Sequence, residues 1–577
     1  MVIGAGPNGL VAANMLVDAG WSVAVLEAGP EPGGAVRSDE SLEPGFVTDR
    51  FSAFYPLAVA SPHIQALDLE HHGLRWSHAP AVLAHPTPGG PTAVLSRELE
   101  RTTASLDSFA PGDGGSWARL QGQWARIEDQ LLGAMLGPFP PVRAAGRLAL
   151  ATGLRGLGTV ARQAVMPVRR LGDEWFAGAG GPLLLAGSAL HADLSPDSAL
   201  SGLLGWLLTG IAQRHGWPVP RGGASALTAA LVARLQARGG TLHCGRPVVA
   251  VEVEGGRATA VRTAGGERIE AGRAVVADVV APKLYQRLLD PAVVPSDVRR
   301  DLRRYQPGSA TFKVNWTLDG PIPWTDPEVG RAGTVHLADS MDELILTTAQ
   351  LATGSLPARP FVVLGQMTTA DPGRSPAGTE SAWAYTDVPQ HIRGDAGGDL
   401  AGLRRPADVA AFAHRLEGRI ERHAPGFRGL IRHRSIQTPS AMEAENANLI
   451  GGDKNLGTSQ IHQQLVFRPT IGLARTETAI PGLFLASASA HPGGGVHGAC
   501  GANAARAALL ARRTRWIRPD RWRPGPRARR QQPDPTREPA STREPASTGS
   551  GWGPAEGPSA DATPPPLGER VGTPPGG

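Results

Sequence analysis

The first nine residues constrain this chain more than any other stretch. Gly4-Ala5-Gly6-Pro7-Asn8-Gly9 follows a short apolar run, and Glu27 closes the next one, Trp21 to Leu26. Val2 to Gly4 predicts the end of a buried strand. Asn8 to Ala19 predicts a helix, with Leu10, Ala13, Asn14 and Val17 at helical spacing and Gly20 as its stop. Strand, glycine turn, helix and strand together form a Rossmann-type βαβ opening. Gly4 permits the tight turn, Gly6 lets the backbone approach a pyrophosphate without a Cβ, and Gly9 lets helix and strand pack closely. The helix start, at Pro7 and Asn8, offers free N–H groups and a partial positive charge to phosphates. Glu27 is placed to accept hydrogen bonds from a ribose and to repel a 2′-phosphate. The competing explanation is a chance match in a glycine-rich turn, and the flanking strand, helix and acid argue against it. The first strand begins almost at Met1, which predicts a natural start a few residues upstream.

A chain of 577 residues, 41% apolar, is too long for one core and predicts two or three domains. The excess of Lys and Arg over Asp and Glu is 57 − 52 = 5, with no basic stripe interleaved with aromatics, so nucleic acid is not an expected partner. Cys244 and Cys500 form no CxxC pair, which argues against dithiol chemistry and a structural zinc site and predicts a reducing, cytoplasmic compartment. The N-terminus lacks the charged leader of a signal peptide, and no apolar run is long enough to span a bilayer. Arg and Pro dominate from Arg512 to Arg530, and Arg-Glu-Pro-Ala-Ser-Thr then occurs twice, at 537–542 and 543–548. Residues 515–577 are therefore expected to be disordered, as a dispensable tail or a tether to an anionic surface.

Between these ends, Ser225 to Arg238 predicts a helix. Thr241–His243, Pro247–Val253, Arg257–Thr263, Arg268–Ala271, Ala274–Ala277, Phe361–Leu364 and Leu483–Ala486 predict strands. Ala407–His423 predicts a helix, as does the stretch from about Gly501. Leu200 to Ala212 is too short to span a membrane and predicts a buried helix or a wall of the substrate site. Pro140 to Gly172 contains no acid, and Arg143, Arg147, Arg155, Arg162 and Arg169 fall on one broad helical face. That face is either a solvated basic surface or an interfacial segment on an anionic bilayer, giving a peripheral membrane contact.

NAD and FAD share the glycine fingerprint, and the extension Glu27-x5-Gly33-Gly34-x2-Arg37 separates them. Gly4 to Arg37 resembles the FAD-binding opening of the amine oxidase and phytoene desaturase superfamily. The likeness to carotenoid/phytoene desaturase-like oxidoreductases continues in Asp49-Arg50-Phe51-Ser52-Ala53-Phe54-Tyr55-Pro56, Leu190-His191-Ala192-Asp193-Leu194-Ser195-Pro196 and Gly216-Trp217-Pro218-Val219-Pro220-Arg221-Gly222-Gly223. It is strong at Pro481 to Ala505, through His491-Pro492-Gly493-Gly494-Gly495-Val496 and Gly498-Ala499-Cys500-Gly501-Ala502-Asn503-Ala504-Ala505. It covers roughly residues 1–512, and the branch it most resembles is that of pyridine nucleotide-disulphide oxidoreductase domain-containing protein 2. The resemblance implies FAD as cofactor, with Gly33, Gly34 and Arg37 along its pyrophosphate and flavin. It also implies Val248 and Val249 at the adenine side, and Gly494, Gly495, Val496 and Gly501 against the flavin ring. Ser487, Ala490 and Ala502 depart from related sequences, which often carry Gly, Thr and Arg there.

The fold expected is α/β. A Rossmann-type, glutathione-reductase-like FAD domain would be built from 1–75, 215–290 and 451–514, and an α+β substrate domain from 76–214 and 291–450. No second glycine fingerprint supports a separate NAD(P)H domain. Catalytic residues are weakly indicated. His491 and His497 flank the glycine turn as general bases or as loop-ordering groups, and His191 could pair with Asp193 at the substrate or lie on the surface. Arg50 is placed near the flavin by likeness, or simply pairs with Asp49. The function expected is flavin-dependent oxidation or isomerisation of C–H or C=C bonds in a lipophilic, isoprenoid-like substrate. The alternatives are a flavin amine oxidase, or an FAD-binding regulatory protein acting through a protein partner or homo-oligomer. Only four tyrosines, with none in the C-terminal motif, count against the aromatic cage of an amine oxidase.

Overall fold

Val2–Ile3 has no polar side chain and runs straight into Gly4, so it suits a sheet covered on both faces. In the computed structural model, which describes residues 1–472 and 475–514, this strand is the centre of a five-stranded parallel sheet. The order is Leu483–Leu485, Val275–Ala277, Val2–Ile3, Ala24–Leu26, Thr241–His243, with Val2 opposite both Val276 and Val25. The expected tail, 515–577, lies outside the described residues.

The helix Pro7–Asp18 starts with Pro at its first turn, where a missing N–H costs nothing. It ends in a Schellman turn: Gly20 (φ 76°) donates to Val17 O at 2.8 Å and Trp21 N to Leu16 O at 3.0 Å. That turn takes up Trp21, so the following strand begins only at Ala24 rather than at Trp21. Leu10, Val11, Ala13 and Leu16 are buried against the helices Ser225–Ala237 and Ala499–Thr514, each of the larger ones contributing about 1.5–3 kcal/mol. Asn14, also buried, donates to Leu10 O and Leu231 O and so ties two of these helices together.

A three-stranded antiparallel sheet, Val248–Glu254, Arg257–Thr263 and Arg268–Glu270, is inserted between two strands of the parallel one, Thr241–His243 and Val275–Ala277. Gly255 and Gly256, at φ 58° and 75°, form its first turn in the left-handed geometry that tight hairpins require.

The largest sheet has seven strands in the order Ile431–Gln437, Ala310–Leu318, Glu380–Val388, Val362–Gln366, Ala332–Leu337, Ala81–Pro86, Thr92–Leu95. All pairs are antiparallel except Ala332–Leu337 with Ala81–Pro86. Ala310–Leu318 alternates Ala, Phe, Val, Trp and Leu with Thr, Lys, Asn and Thr, yet all nine residues are buried. Its apolar face packs on Phe412, Leu416, Ile420 and Phe427, with Trp316 and Phe427 edge to face at 5.4 Å. Its polar face turns toward the N-terminal segment, where Lys313 Nζ donates to Phe51 O at 3.2 Å and also bonds Asp49 O.

Helices Asp113–Leu136, Val142–Val165, Val168–Trp175, Gly180–Leu190 and Ser201–His215 form a layer whose core includes Trp117, Trp124 and Trp206. Ser201–His215 is the buried helix expected there. Trp124 lies so close to Gly210 that a Cβ there would meet the indole at 2.5 Å. The single broad arginine face does not form. Gly153 (φ 65°, ψ 174°) breaks Val142–Val165, and Arg169 belongs to the next helix. Arg162 bonds Glu174 at 2.6 Å and Arg169 approaches Asp342 at 3.7 Å, while Arg143, Arg147 and Arg155 stay exposed. Among the described residues no helix is long and apolar enough to cross a membrane.

Phe412→Ala should destabilise the chain by about 3–5 kcal/mol by emptying the space beneath Phe312. The measurement is the denaturant midpoint, and an unmoved midpoint would mean this core does not limit unfolding.

Candidate functional site

Strand ends of a parallel sheet open onto a crevice, and loops crossing it carry the groups that bind ligands. Three loops meet at the carboxyl end of Val2–Ile3. The first is the glycine turn. A Cβ on Gly9 would lie 2.2 Å from Gly4 O, and one on Gly6 would lie 2.6 Å from Asp278 Oδ2. The second is Gly33-Gly34: Gly33 N donates to Ala5 O at 2.8 Å, and a Cβ on Gly34 (φ 57°) would meet Gly6 Cα at 3.2 Å. The third is the C-terminal glycine turn leading into Ala499–Thr514. There a Cβ on Gly501 would fall 1.9 Å from Asn8 O, so two helix N-termini converge with only hydrogens between them. Neither helix has an acid in its first turn, and buried Asn8 Oδ1 has no protein partner. Amide oxygen and nitrogen are interchangeable assignments, so Asn8 offers a polar group to whatever lies at the turn. Unopposed helix N-termini, a Cβ-free backbone and an orphaned side-chain amide fit a diphosphate.

Glu27 stands at the edge of this turn, its carboxylate accepting from Ala5 N at 2.7 Å and Gly29 N at 2.9 Å. Arg246 N donates to Glu27 O, so the chain leaves Glu27 along the segment that leads to Val248 and Val249. Val248 is half-buried and Val249 exposed. Arg37 donates to Gly34 O at 3.0 Å and Glu445 O at 3.2 Å, and its guanidinium lies 5.5 Å from the Phe51 ring centroid. A Cβ on Gly494 would meet Asn455 Oδ1 at 2.6 Å; Gly495 (φ 115°) is exposed and Val496 half-buried beside it.

The histidines divide by what their rings already hold. His497 Nδ1 accepts from Ala499 N at 3.0 Å and caps the helix, and burial pushes it down to about 4. His491 meets Phe139 edge to face at 6.0 Å, its Nε2 has no partner, and burial pushes it to about 4. His191 does not pair with Asp193. Its Nε2 lies 2.8 Å from His336 Nε2, while Asp193 accepts from Lys454 and from Asn455 at 3.0 Å. Arg50 likewise does not pair with Asp49. It bridges Asp39 at 2.8 Å and Glu445 at 2.6 Å, because Asp49 is buried with Arg374 at 3.0 Å and accepts from Ala224 N.

Three residues at the site were not anticipated. Asp278 follows the strand Val275–Ala277 as Glu27 follows Ala24–Leu26, on opposite sides of Val2–Ile3, and its carboxylate accepts from Gly9 N at 2.9 Å. Burial pushes its carboxyl up to about 7; the Gly9 N–H opposes the rise and the charge of Glu27 adds to it. Lys313 is pushed down to about 7 by burial, against the pull of Asp49. Tyr385 is its cross-strand partner on the same sheet face. An acid directly after an apolar strand was the legible signal for Asp278. Lys313 and Tyr385 left no comparable signal, because alternation alone reads as a half-solvated strand.

A glycine turn, an acid at its rim and two converging helix N-termini define a dinucleotide-binding protein. The family described as Flavin containing amine oxidoreductase matches residues 8–380, and the chain belongs to it as an FAD-dependent oxidoreductase. Pyridine nucleotide-disulfide oxidoreductase domain-containing protein 2 of Rattus norvegicus is 28% identical over 545 residues, covering 86% of this chain and 91% of that protein. The zeta-carotene-forming phytoene desaturase of Myxococcus xanthus is 27% identical over 526 residues, covering 86% and 90%. A wild-type putrescine oxidase bound to putrescine shares the fold, with a TM-score of 0.53 at 16% identity over 88% of this chain and 97% of that one. Cys244 and Cys500 are both free, and burial pushes the Cys500 thiol up to about 12.

Two results should follow. Glu27→Ala should weaken FAD binding by about 1–3 kcal/mol, the scale of a lost charged hydrogen bond, and unchanged affinity by titration of the apoprotein would remove Glu27 from the cofactor site. The folded pKa of Asp278 lies above its unfolded value, so its stabilising contribution is complete below about pH 4 and is lost as pH rises through about 7. Asp278→Asn should therefore flatten the fall of the apoprotein's melting temperature over that window, and a profile parallel to wild type would assign the fall to another group.

Proposed function

We propose that the chain removes a hydride from a C–H bond of a lipophilic, isoprenoid-like substrate, or shifts a C=C bond within it, with flavin N5 as the hydride acceptor. The observation that carries this is the makeup of the sheet face beyond Lys313. Trp217, Trp383, Tyr385 and Phe361 surround His191 and His336, whose rings burial keeps neutral. A largely aromatic wall around neutral imidazoles suits an apolar molecule. The phytoene desaturase among the relatives is named for such a substrate.

FAD, when bound, supplies the two-electron acceptor. In this reading Gly4, Gly6, Pro7, Asn8, Gly9, Gly33 and Gly34 hold its diphosphate, and Glu27 holds the adenosine ribose. Val248 and Val249 border the adenine, and Arg37 with Gly494, Gly495, Val496 and Gly501 borders the flavin. Lys313 donates to backbone carbonyls at 49 and 51 and can hold or release a proton near neutrality. The same proposal takes 1–75, 215–290 and 451–514 as a glutathione-reductase-like cofactor domain and 76–214 and 291–450 as the substrate domain. A parallel sheet that draws its strands from these three segments supports it. Exposed Val142 and Leu150 beside Arg143 and Arg147 support substrate entry from an anionic bilayer.

A flavin amine oxidase is the second reading, favoured by the family's description and the putrescine oxidase fold. Against it, Asp193 and Asp387 are both bonded to Lys454 and leave no free carboxylate there for an ammonium group. The test is anaerobic bleaching of the purified yellow protein. Reduction by limonene or a longer polyene is expected. Reduction by putrescine alone would select the amine reading, and tight flavin that nothing reduces, with a stoichiometric partner, would select a regulatory role.

A further inference from the structure

One row of side chains crosses the site-facing side of the large sheet. Gln437 and Tyr385 both lie opposite Lys313, Val363 lies opposite Tyr385, and His336 lies opposite Val363. Cross-strand neighbours sit about 5 Å apart, so the row runs from the lysine by the N-terminal segment to a histidine roughly three strands away. From the helix Gly180–Leu190 above, His191 reaches back over the row. Its Nε2 is 2.8 Å from His336 Nε2, and its Nδ1 is 3.4 Å from Tyr385 Oη.

The protons in this chain can be assigned. The two imidazoles are neutral and 2.8 Å apart, so one Nε2 must carry hydrogen. His336 Nδ1 has no polar partner and is pressed on Gly187, where an added Cβ would lie 2.3 Å away. An N–H at that position would be buried without an acceptor and would drive its hydrogen into the Gly187 Cα–H, whereas a bare lone pair accommodates that C–H. His336 therefore carries its hydrogen on Nε2 and donates to His191, which must carry its own on Nδ1. That N–H points at Tyr385 Oη and occupies its lone pair. The phenol hydrogen cannot return to His191, and no other protein acceptor lies within reach among the described residues. Lys454, 5.3 Å from the Tyr385 ring centroid, is itself a donor and is held by Asp193 and Asp387. Both His191 and Tyr385 keep part of their surface accessible, while Trp217, Trp383 and Phe361 form the surrounding wall.

We propose that the substrate carries a hydroxyl or carbonyl oxygen that accepts the Tyr385 hydrogen, with His191 and His336 as positioning residues that fix the direction of that donor. The inference deepens the reading of a lipophilic substrate and rests on it. It separates an oxygenated isoprenoid-like molecule from a pure hydrocarbon. An apolar site without a donor prefers the hydrocarbon, because a carbonyl loses its water on entry and regains nothing.

Limonene and carvone share one ring skeleton and differ by a ketone oxygen, which makes them suitable probes. Their binding to the flavin-loaded protein is read by calorimetry and by tryptophan fluorescence, neither of which depends on turnover. Carvone is expected to bind about tenfold more tightly than limonene, the scale of one hydrogen bond in a dry site. Tyr385→Phe should abolish that preference, bringing the ratio of the two affinities to about one. His336→Phe should reduce it in part, because His191 can then take the other tautomer and accept the phenol hydrogen itself; a merely space-filling His336 would leave the ratio unchanged. Equal binding of the two probes, binding of neither, or a preference that survives Tyr385→Phe overturns the proposal. A protein that takes up no flavin but still selects carvone would instead refute the redox reading and leave this one standing.

Discussion

Backbone lies on backbone where the opening glycine turn meets the turn before Ala499–Thr514. Asn8 O faces Gly501 Cα, and Gly4 O faces Gly9 Cα, at separations that leave no room for a methyl group. This double contact brings the N-terminus of Pro7–Asp18 against that of Ala499–Thr514, so their unsatisfied N–H groups share one small volume. Neither helix could supply such a concentration of positive potential alone. The five-stranded sheet, the capping of the second helix by His497 and the burial of Ser61 against His497 O all keep that approach in place.

Two carboxyls flank this volume in different settings. Glu27 sits at the rim and accepts from two backbone N–H groups, while Asp278 lies beneath the turn, where burial favours its neutral form. A diphosphate brought to the same place meets backbone donors above a buried carboxyl drawn toward neutrality. The large sheet repeats the theme: Lys454 keeps its charge because two carboxylates hold it, and Lys313, lacking such partners, is drawn toward neutrality. Charge in this molecule follows from the partners each group finds, and the partners come from remote parts of the chain.

That origin explains what could be read in advance. The glycine turn, its helix, Glu27 and the Gly33-Gly34 pair are local in sequence, and each leaves a mark in residue type and spacing. The strands on either side of Gly255-Gly256 and the buried helix after Leu200 were legible for the same reason. The floor of the site was not. Ala310–Leu318 alternates as a half-solvated strand would, and only docking against residues 49–51 turns its polar face inward. His191 was visible as a candidate, but its partner His336 lies 145 positions away, and Asp193 beside it belongs to Lys454. The arginine stretch misled because helical periodicity was carried through Gly153, where the backbone leaves the helical region.

The position of Leu483–Leu485 at the edge of the parallel sheet has a consequence for synthesis. The sheet's first strand leaves the ribosome at once, but the edge strand and the helix Ala499–Thr514 emerge only after every strand of the three-stranded and seven-stranded sheets has been made. Until then the opening turn has no second helix to close against. Contacts between such distant segments form slowly, since closing long loops carries an entropy cost. Closure of the turn is thus a late event in the life of the nascent chain, and a polypeptide cut short before Gly501 would keep its glycine fingerprint without the helix that packs against it.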